Sequence, residues 1–237
     1  EKEYYNPDFT LIGKKGGAAK KYAEENDMIY EETNHSVTDD SEFYIVDGVL
    51  LEYRGDEMFV EIPEKVKAIG DSAFRENNLV IVAIPDTVES IGINAFLGCK
   101  YLDDVILSRS IVRIGDGAFM NCSSLPKIEL PDTLKEIGKL AFSGCSSLKQ
   151  ITLPSGLEFL GNLAFSESGL QQIYISTDVP EAAFMNCMEL EDVKISQGAT
   201  SIGASAFLAE VVSRILSKTP LKALSPKEAE KIVAMYE

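Results

Sequence analysis

The sequence predicts an α/β-type repeat solenoid of about seven rungs, each of roughly 23 residues, with a parallel sheet along one face. Three observations predict it. The dipeptide Ala-Phe recurs seven times, with its ring at Phe74, Phe96, Phe119, Phe142, Phe165, Phe184 and Phe207, at gaps of 22, 23, 23, 23, 19 and 23 residues. Four residues before most of these rings stands a glycine after an aliphatic residue, as in Ile69-Gly70, Ile91-Gly92, Ile114-Gly115, Ile137-Gly138, Leu160-Gly161 and Ile202-Gly203. Five or six residues after a ring comes a leucine (Leu79, Leu102, Leu125, Leu148, Leu170, Leu190), with two more aliphatics three and five residues further on.

The spacing assigns a conformation to each part of the unit. In "LKQITLP", Ile151 and Leu153 alternate with Gln150 and Thr152, the period of a strand with one buried face. Pro154 ends that strand because it has no N–H for a further ladder bond. The return leg "SGLEFLGNLAF" turns Leu157, Leu160, Ala164 and Phe165 inward. One unit cannot bury this apolar set alone, whereas stacked units can. The seven phenylalanines are therefore expected to form a continuous internal stack. In the sixth unit Leu170 comes one residue early and "STDVPEAAF" shortens the return leg, but "LQQIYIS" is intact, so the sheet of long strands should run on.

Residues 122–142, "CSSLPKIELPDTLKEIGKLAF", fit C-x-x-L-x-x-I-x-L-P-x-x-L-x-x-I-G-x-x-A-F at every defined position. That pattern resembles the BspA-like leucine-rich repeat family of bacterial surface proteins, over roughly residues 43–207. The resemblance implies a leucine-rich repeat fold, a cell-surface or secreted address, and an adhesion or host-interaction role.

At the N-terminal end of the array, "FYIVDGVLLEYRG" (43–55) reads as a hairpin turning at Asp47-Gly48, placed to cover the edge of the first rung. Residues 1–31 read as a strand–helix–strand segment, with the helix from about Ala18 to Asn26, similar to the element that closes a preceding array in that family. Residues 32–42 read as an acidic linker, and the array with its opening hairpin spans 43–208. Residues 209–237 should form short helices. Val211, Val212, Ile215 and Leu216 share one helical face, and Ser225, Pro226 and Glu228 form a capping signature.

Composition narrows the function. Against 22 Lys+Arg stand 38 Asp+Glu, a net charge of -16, which repels phosphate backbones and disfavours nucleic acid as a partner. No apolar run reaches the length of a membrane span, so direct insertion is not expected.

Little in the chain suggests catalysis. Cys99, Cys122, Cys145 and Cys187 each follow a repeat ring by three residues, in a slot that elsewhere holds Asn77, Ser168 and Glu210. No C-x-x-C pair exists, so zinc is not expected, and the thiols read as buried, free and filling small apolar spaces. His35 is the sole histidine and lies in the linker, where it has no partners for a triad. "GKKGG" (13–17) lacks the spacing of a phosphate loop, and "DDSE" (39–42) does not match a calcium loop. The expectation is a chain with no catalytic residues, no metal and no cofactor.

Binding is the remaining class. The residues between the inner aliphatics form outward columns, one residue per rung, on a rigid frame. Phe59, Ile81, Ala83 and Ile106 fall together at the N-terminal end of that face. They form either an exposed contact patch or a surface covered by the hairpin or helix. Further along, Tyr174 stands beside Gln150, Thr152 and Gln172, an aromatic-plus-amide set suited to a sugar or a peptide. These eight residues are the candidate binding face. The expected partner is a protein, matrix component or glycan. The rival readings are a structural spacer that displays other domains, and a carbohydrate-active accessory module or enzyme.

Overall fold

In the computed structural model the described residues are 10–14, 20, 23–24, 29–33, 40–195 and 199–207. Strands β1 (Thr10–Lys14) and β2 (Ile29–Thr33) pair in parallel. Between them Lys20, Ala23 and Glu24 are helical, within the span where the sequence predicts a helix, and Ala23 is fully buried. Strands β3 (Phe43–Val46) and β4 (Val49–Tyr53) form the predicted hairpin. Its turn residues Asp47 and Gly48 both have positive φ, 49° and 79°, the pair of dihedrals a two-residue hairpin turn requires.

The array proper winds through a long strand and then a short one in each rung. The first rung has β5 (Phe59–Glu61) and β6 (Ala68–Ile69), and the second β7 (Ile81–Ala83) and β8 (Ser90–Ile91). The third has β9 (Asp104–Ile106) and β10 (Arg113–Ile114), while the fourth supplies only β11 (Glu136–Ile137). The fifth has β12 (Gln150–Thr152) and β13 (Phe159–Leu160). The sixth and seventh contribute the long strands β14 (Gln172–Ile175) and β15 (Asp192–Ile195). The long strands build a front face and the short ones a back sheet. Both are parallel, as a chain that always turns the same way requires.

The hairpin closes the back sheet, because β4 pairs in parallel with β6. At the front β5 is the terminal strand of its sheet, so the hairpin covers one of the two edges of the first rung and not both. Shelter of the back edge follows the general need to pair or blunt exposed strand edges. The C-terminal helices expected over 209–237, and His35 with most of the expected linker, lie outside the described residues. Among the described residues the only complete helical element is a 3₁₀ turn, Asp40–Glu42, at the end of that linker.

The ring ladder runs through the core as expected. Successive phenylalanines from Phe74 to Phe207 lie 4.8–5.5 Å apart between ring centroids, with interplanar angles of 1–13°. The hairpin extends the column at its N-terminal end: Tyr53 packs 5.2 Å from Phe74, and Phe43 5.1 Å from Tyr53. Each such ring buries a large apolar area, and an offset parallel pair adds about 0.5–1.5 kcal/mol beyond that burial.

The thiols take a role that the reading as apolar filler did not include. All four are buried and free. Each donates to a phenylalanine carbonyl of the preceding rung: Cys99 to Phe74 at 3.0 Å, Cys122 to Phe96 at 3.2 Å, Cys145 to Phe119 at 3.2 Å and Cys187 to Phe165 at 3.0 Å. In the first rung Asn77 fills the slot and its amide reaches the Gly55 carbonyl at 3.3 Å. At Asn77 and at all four cysteines the slot thus holds a small side chain that donates to a backbone carbonyl.

Backbones meet closely along the turn of each rung. A Cβ on Gly115 would lie 2.7 Å from the carbonyl carbon of Gly92, a distance at which backbone must move. Two residues before each repeat ring the chain adopts positive φ, at Ser72, Asn94, Gly117, Leu140, Leu163, Ala182 and Ser205. That column is a property of the turn and not of the residue type, since leucine and alanine adopt it too.

Both sheets are interrupted, in different rungs and for one reason. On the front face, Val80, Asp103, Lys149, Gln171 and Glu191 begin their rungs by donating to the preceding rung at 2.7–3.2 Å. Pro126 holds that place in the fourth rung and has no N–H to give. The front face consequently divides into β5–β7–β9 and β12–β14–β15, with no strand over 127–129. On the back, Gly70, Gly92, Gly115, Gly138, Gly161 and Gly203 donate at 2.7–2.8 Å. Pro180 replaces that glycine in the sixth rung, and the back sheet ends at β13, leaving only a Val179–Ile202 bridge beyond it. The front sheet does run through the shortened sixth unit, in the register Gln150–Gln172–Asp192, as expected.

Candidate binding surface

Alternation along the long strands presents one side chain in two to the core. In β12 and β14, Ile151, Ile173 and Ile175 are buried, while Gln150, Thr152, Gln172 and Tyr174 are exposed. Parallel register then aligns the outward residues across rungs. One column is Gln150, Gln172, Asp192 and the other Thr152, Tyr174, Lys194. The stacked core beneath holds them at the pitch of the array.

The eight candidate residues separate into two groups. Phe59, Ile81 and Ala83 are 7%, 7% and 3% exposed, and Ile106 is half-buried. Three of the four side chains at that apolar end are therefore buried. Gln150, Thr152, Gln172 and Tyr174 face solvent together, and Tyr174 is 49% exposed. The break at Pro126 falls between the two groups.

The open group is polar, and its charges are matched. The side-chain amide of Gln172 donates to that of Gln150 at 3.0 Å, aligning two amides on adjacent strands. Asp192 and Lys194, the next members of the two columns, form an ion pair at 3.2 Å. Neither was among the sequence candidates. Their spacing of two residues on an outward face was the signal that could have nominated them.

Among the described residues, no three His, Cys, Asp or Glu side chains gather where they could hold a metal. The thiols lie in the interior, and burial pushes them upward, to about 12 at Cys99 and Cys145 and about 11 at Cys187, so they stay protonated at neutral pH. At the other end of the array, burial foremost, then the Glu57 and Glu42 carboxylates, raise Tyr53, whose hydroxyl donates to Glu57 at 3.2 Å. Tyr53 packs beneath the first ring and has the role of a cap. Among the described residues no helix is long and apolar enough to cross a membrane.

A parallel solenoid with an inward aromatic ladder and an ordered outward column is a repeat scaffold of the leucine-rich class. The profile of the BspA type leucine rich repeat region matches this chain in six copies, over residues 58–143 and 113–225. The chain belongs to that family. Among solved structures it is similar to a leucine-rich repeat protein of T. pallidum, at 24% identity and a TM-score of 0.72, over 84% of this chain and 96% of that one. It is also similar to a leucine-rich cell surface protein of Faecalibacterium prausnitzii, at 30% identity and a TM-score of 0.59, over 77% of this chain and 54% of that one. A leucine-rich repeat protein of Bacteroides ovatus matches at 27% identity and a TM-score of 0.54, over 76% and 56%. The chain thus spans about half the length of the latter two. No curated protein matches it in sequence.

Proposed function

We propose that this chain is a non-enzymatic scaffold, displayed at a bacterial surface or secreted, that binds an external macromolecule through the open part of its front face. The observation that carries the reading is the pair of exposed columns on β12, β14 and β15, held in register over the stacked core. Rigid presentation lowers the entropic cost of association, because the contacting side chains are already positioned. The surface address is supported by family membership and by the description of the F. prausnitzii relative as a cell surface protein. Net charge argues against nucleic acid as the macromolecule.

Two measurements test this. Antibody labelling should reach the protein on intact cells, or find it in the medium, without permeabilisation. The immobilised chain should retain at least one member of a panel of matrix proteins and glycans, and a variant with Gln150, Gln172 and Tyr174 all replaced by Ala should lose it. Silence across the panel would favour a spacer that displays other domains, and labelling only after permeabilisation would remove the surface role.

A further inference from the structure

We infer that the platform around Tyr174 takes an uncharged glycan chain laid across the strands, one sugar unit per rung. The inference rests on the reading of the front face as a binding surface and adds the chemistry of its ligand. Tyr174 lies on β14, the central strand of β12–β14–β15, and its half-exposed ring stands in register between Thr152 and Lys194. A pyranose has C–H faces that pack on an aromatic ring and a rim of hydroxyls that both donate and accept hydrogen bonds. The neighbouring column meets that rim. Each glutamine amide has two donors and an acceptor oxygen with two lone pairs, and the Gln172–Gln150 bond uses only one donor and one acceptor site. The remaining capacity faces solvent beside the ring, and exposed Thr152 is the ring's neighbour on the adjacent strand.

Two features choose a glycan over a peptide. The backbone of β14 is already bonded on both sides, so an extended peptide cannot add to the sheet as a strand where Tyr174 stands. A peptide laid across the strands would advance about 3.3 Å per residue. The rungs beneath repeat at 4.8–5.5 Å, a pitch close to the length of one pyranose unit in an extended chain. Charge chooses a neutral glycan over an anionic one. Lys194 is engaged by Asp192 at 3.2 Å, and a chain of net charge -16 repels uronate, sialate and sulfate groups.

The test uses the full chain with cello-, manno-, malto- and laminari-oligosaccharides of two to six units. Binding is followed through the glutamine side-chain amide and tyrosine ring signals in NMR. At least one series should bind, with affinity rising from the disaccharide to the trisaccharide and levelling near the tetrasaccharide, since three strands carry the platform. Tyr174→Phe should retain binding within threefold, whereas Tyr174→Ala should weaken it at least tenfold. Adding Glu at the platform (Thr152→Glu) should weaken binding of the neutral sugar through lost contact and should not create affinity for polygalacturonate. No binding by any series overturns the inference, as does binding unchanged by Tyr174→Ala. If a matrix protein binds in a Tyr174-dependent way and every sugar is silent, the glycan assignment falls while the scaffold reading stands.

Discussion

The Sγ of Cys122 donates to the carbonyl oxygen of Phe96, one rung earlier, at 3.2 Å, deep in the core where both residues are fully buried. That carbonyl also accepts the Cys99 N–H within its own rung at 3.2 Å, so the sulfur contributes a second bond that joins two rungs. Cys122→Ser keeps a small donor in place and should lie within about 1 kcal/mol of the parent in urea unfolding, whereas Cys122→Val removes the donor, adds volume and should cost about 2–3 kcal/mol. Equal stability of the two variants would show that the slot responds to volume alone.

The same burial gives an alkaline limit. A thiol ordinarily titrates near 9.0, and burial holds Cys145 and Cys99 up to about 12 and Cys187 to about 11 in the folded chain. Below 9 the thiols are protonated in both states, so their contribution is fully present. Above 9 the unfolded chain ionises while the fold keeps its protons, and stability falls until the folded values are reached, by about 1.4 kcal/mol per pH unit for each thiol. Melting temperature followed from pH 8 to 11 should therefore drop less steeply in Cys145→Ser than in the parent. Parallel slopes would contradict the burial-raised thiol.

Two neighbouring glycines should differ in cost. A Cβ on Gly115 would press on the backbone of Gly92, which cannot rotate away. At Gly117, with φ of 63°, a Cβ would meet the Asn94 side chain, which can turn aside, leaving mainly the left-handed backbone penalty of about 1–2 kcal/mol. Gly115→Ala should accordingly be the more destabilising by at least about 1 kcal/mol, with local backbone displacement that Gly117→Ala lacks. Denaturant midpoints for the two variants decide the order, and the reverse order would rule out the backbone contact as the cause.

Restoring an N–H should mend the front sheet. Lys149 occupies in the fifth rung the place that Pro126 holds in the fourth, and it donates to the Pro126 carbonyl at 3.2 Å. Pro126→Lys supplies the missing donor opposite the Asp103 carbonyl, and its amide should gain hydrogen-exchange protection comparable with that of Lys149. Stability should change by no more than about 1 kcal/mol, because the new bond is offset by the greater freedom of the unfolded chain. An amide at 126 exchanging as fast as an exposed loop would show that the break has another origin.

Much of this molecule was legible because it repeats. A residue that keeps its offset from Phe119 and Phe142 must meet the same environment in each rung, so the ring ladder, the inward aliphatics and the outward columns followed from spacing alone. Asp47-Gly48 announced the hairpin through turn chemistry, which is local. The prolines were also visible. Pro154 was read as the end of a strand, but Pro126 and Pro180 were not read as gaps in a ladder, since that meaning depends on which carbonyl waits in the rung before.

The sequence by itself determined the number of rungs, their inward and outward faces and the family to which the chain belongs, because each follows from a period that needs no knowledge of distant contacts. Tertiary structure alone decided three things: that the thiols act as donors, that Phe59, Ile81 and Ala83 are buried, and that Gln150, Thr152, Gln172 and Tyr174 are not. The acceptor for each sulfur lies 22–26 residues away in sequence, and whether an outward side chain meets water depends on what lies over the sheet. A repeat specifies which way a residue points, and only the assembled chain specifies what it meets there.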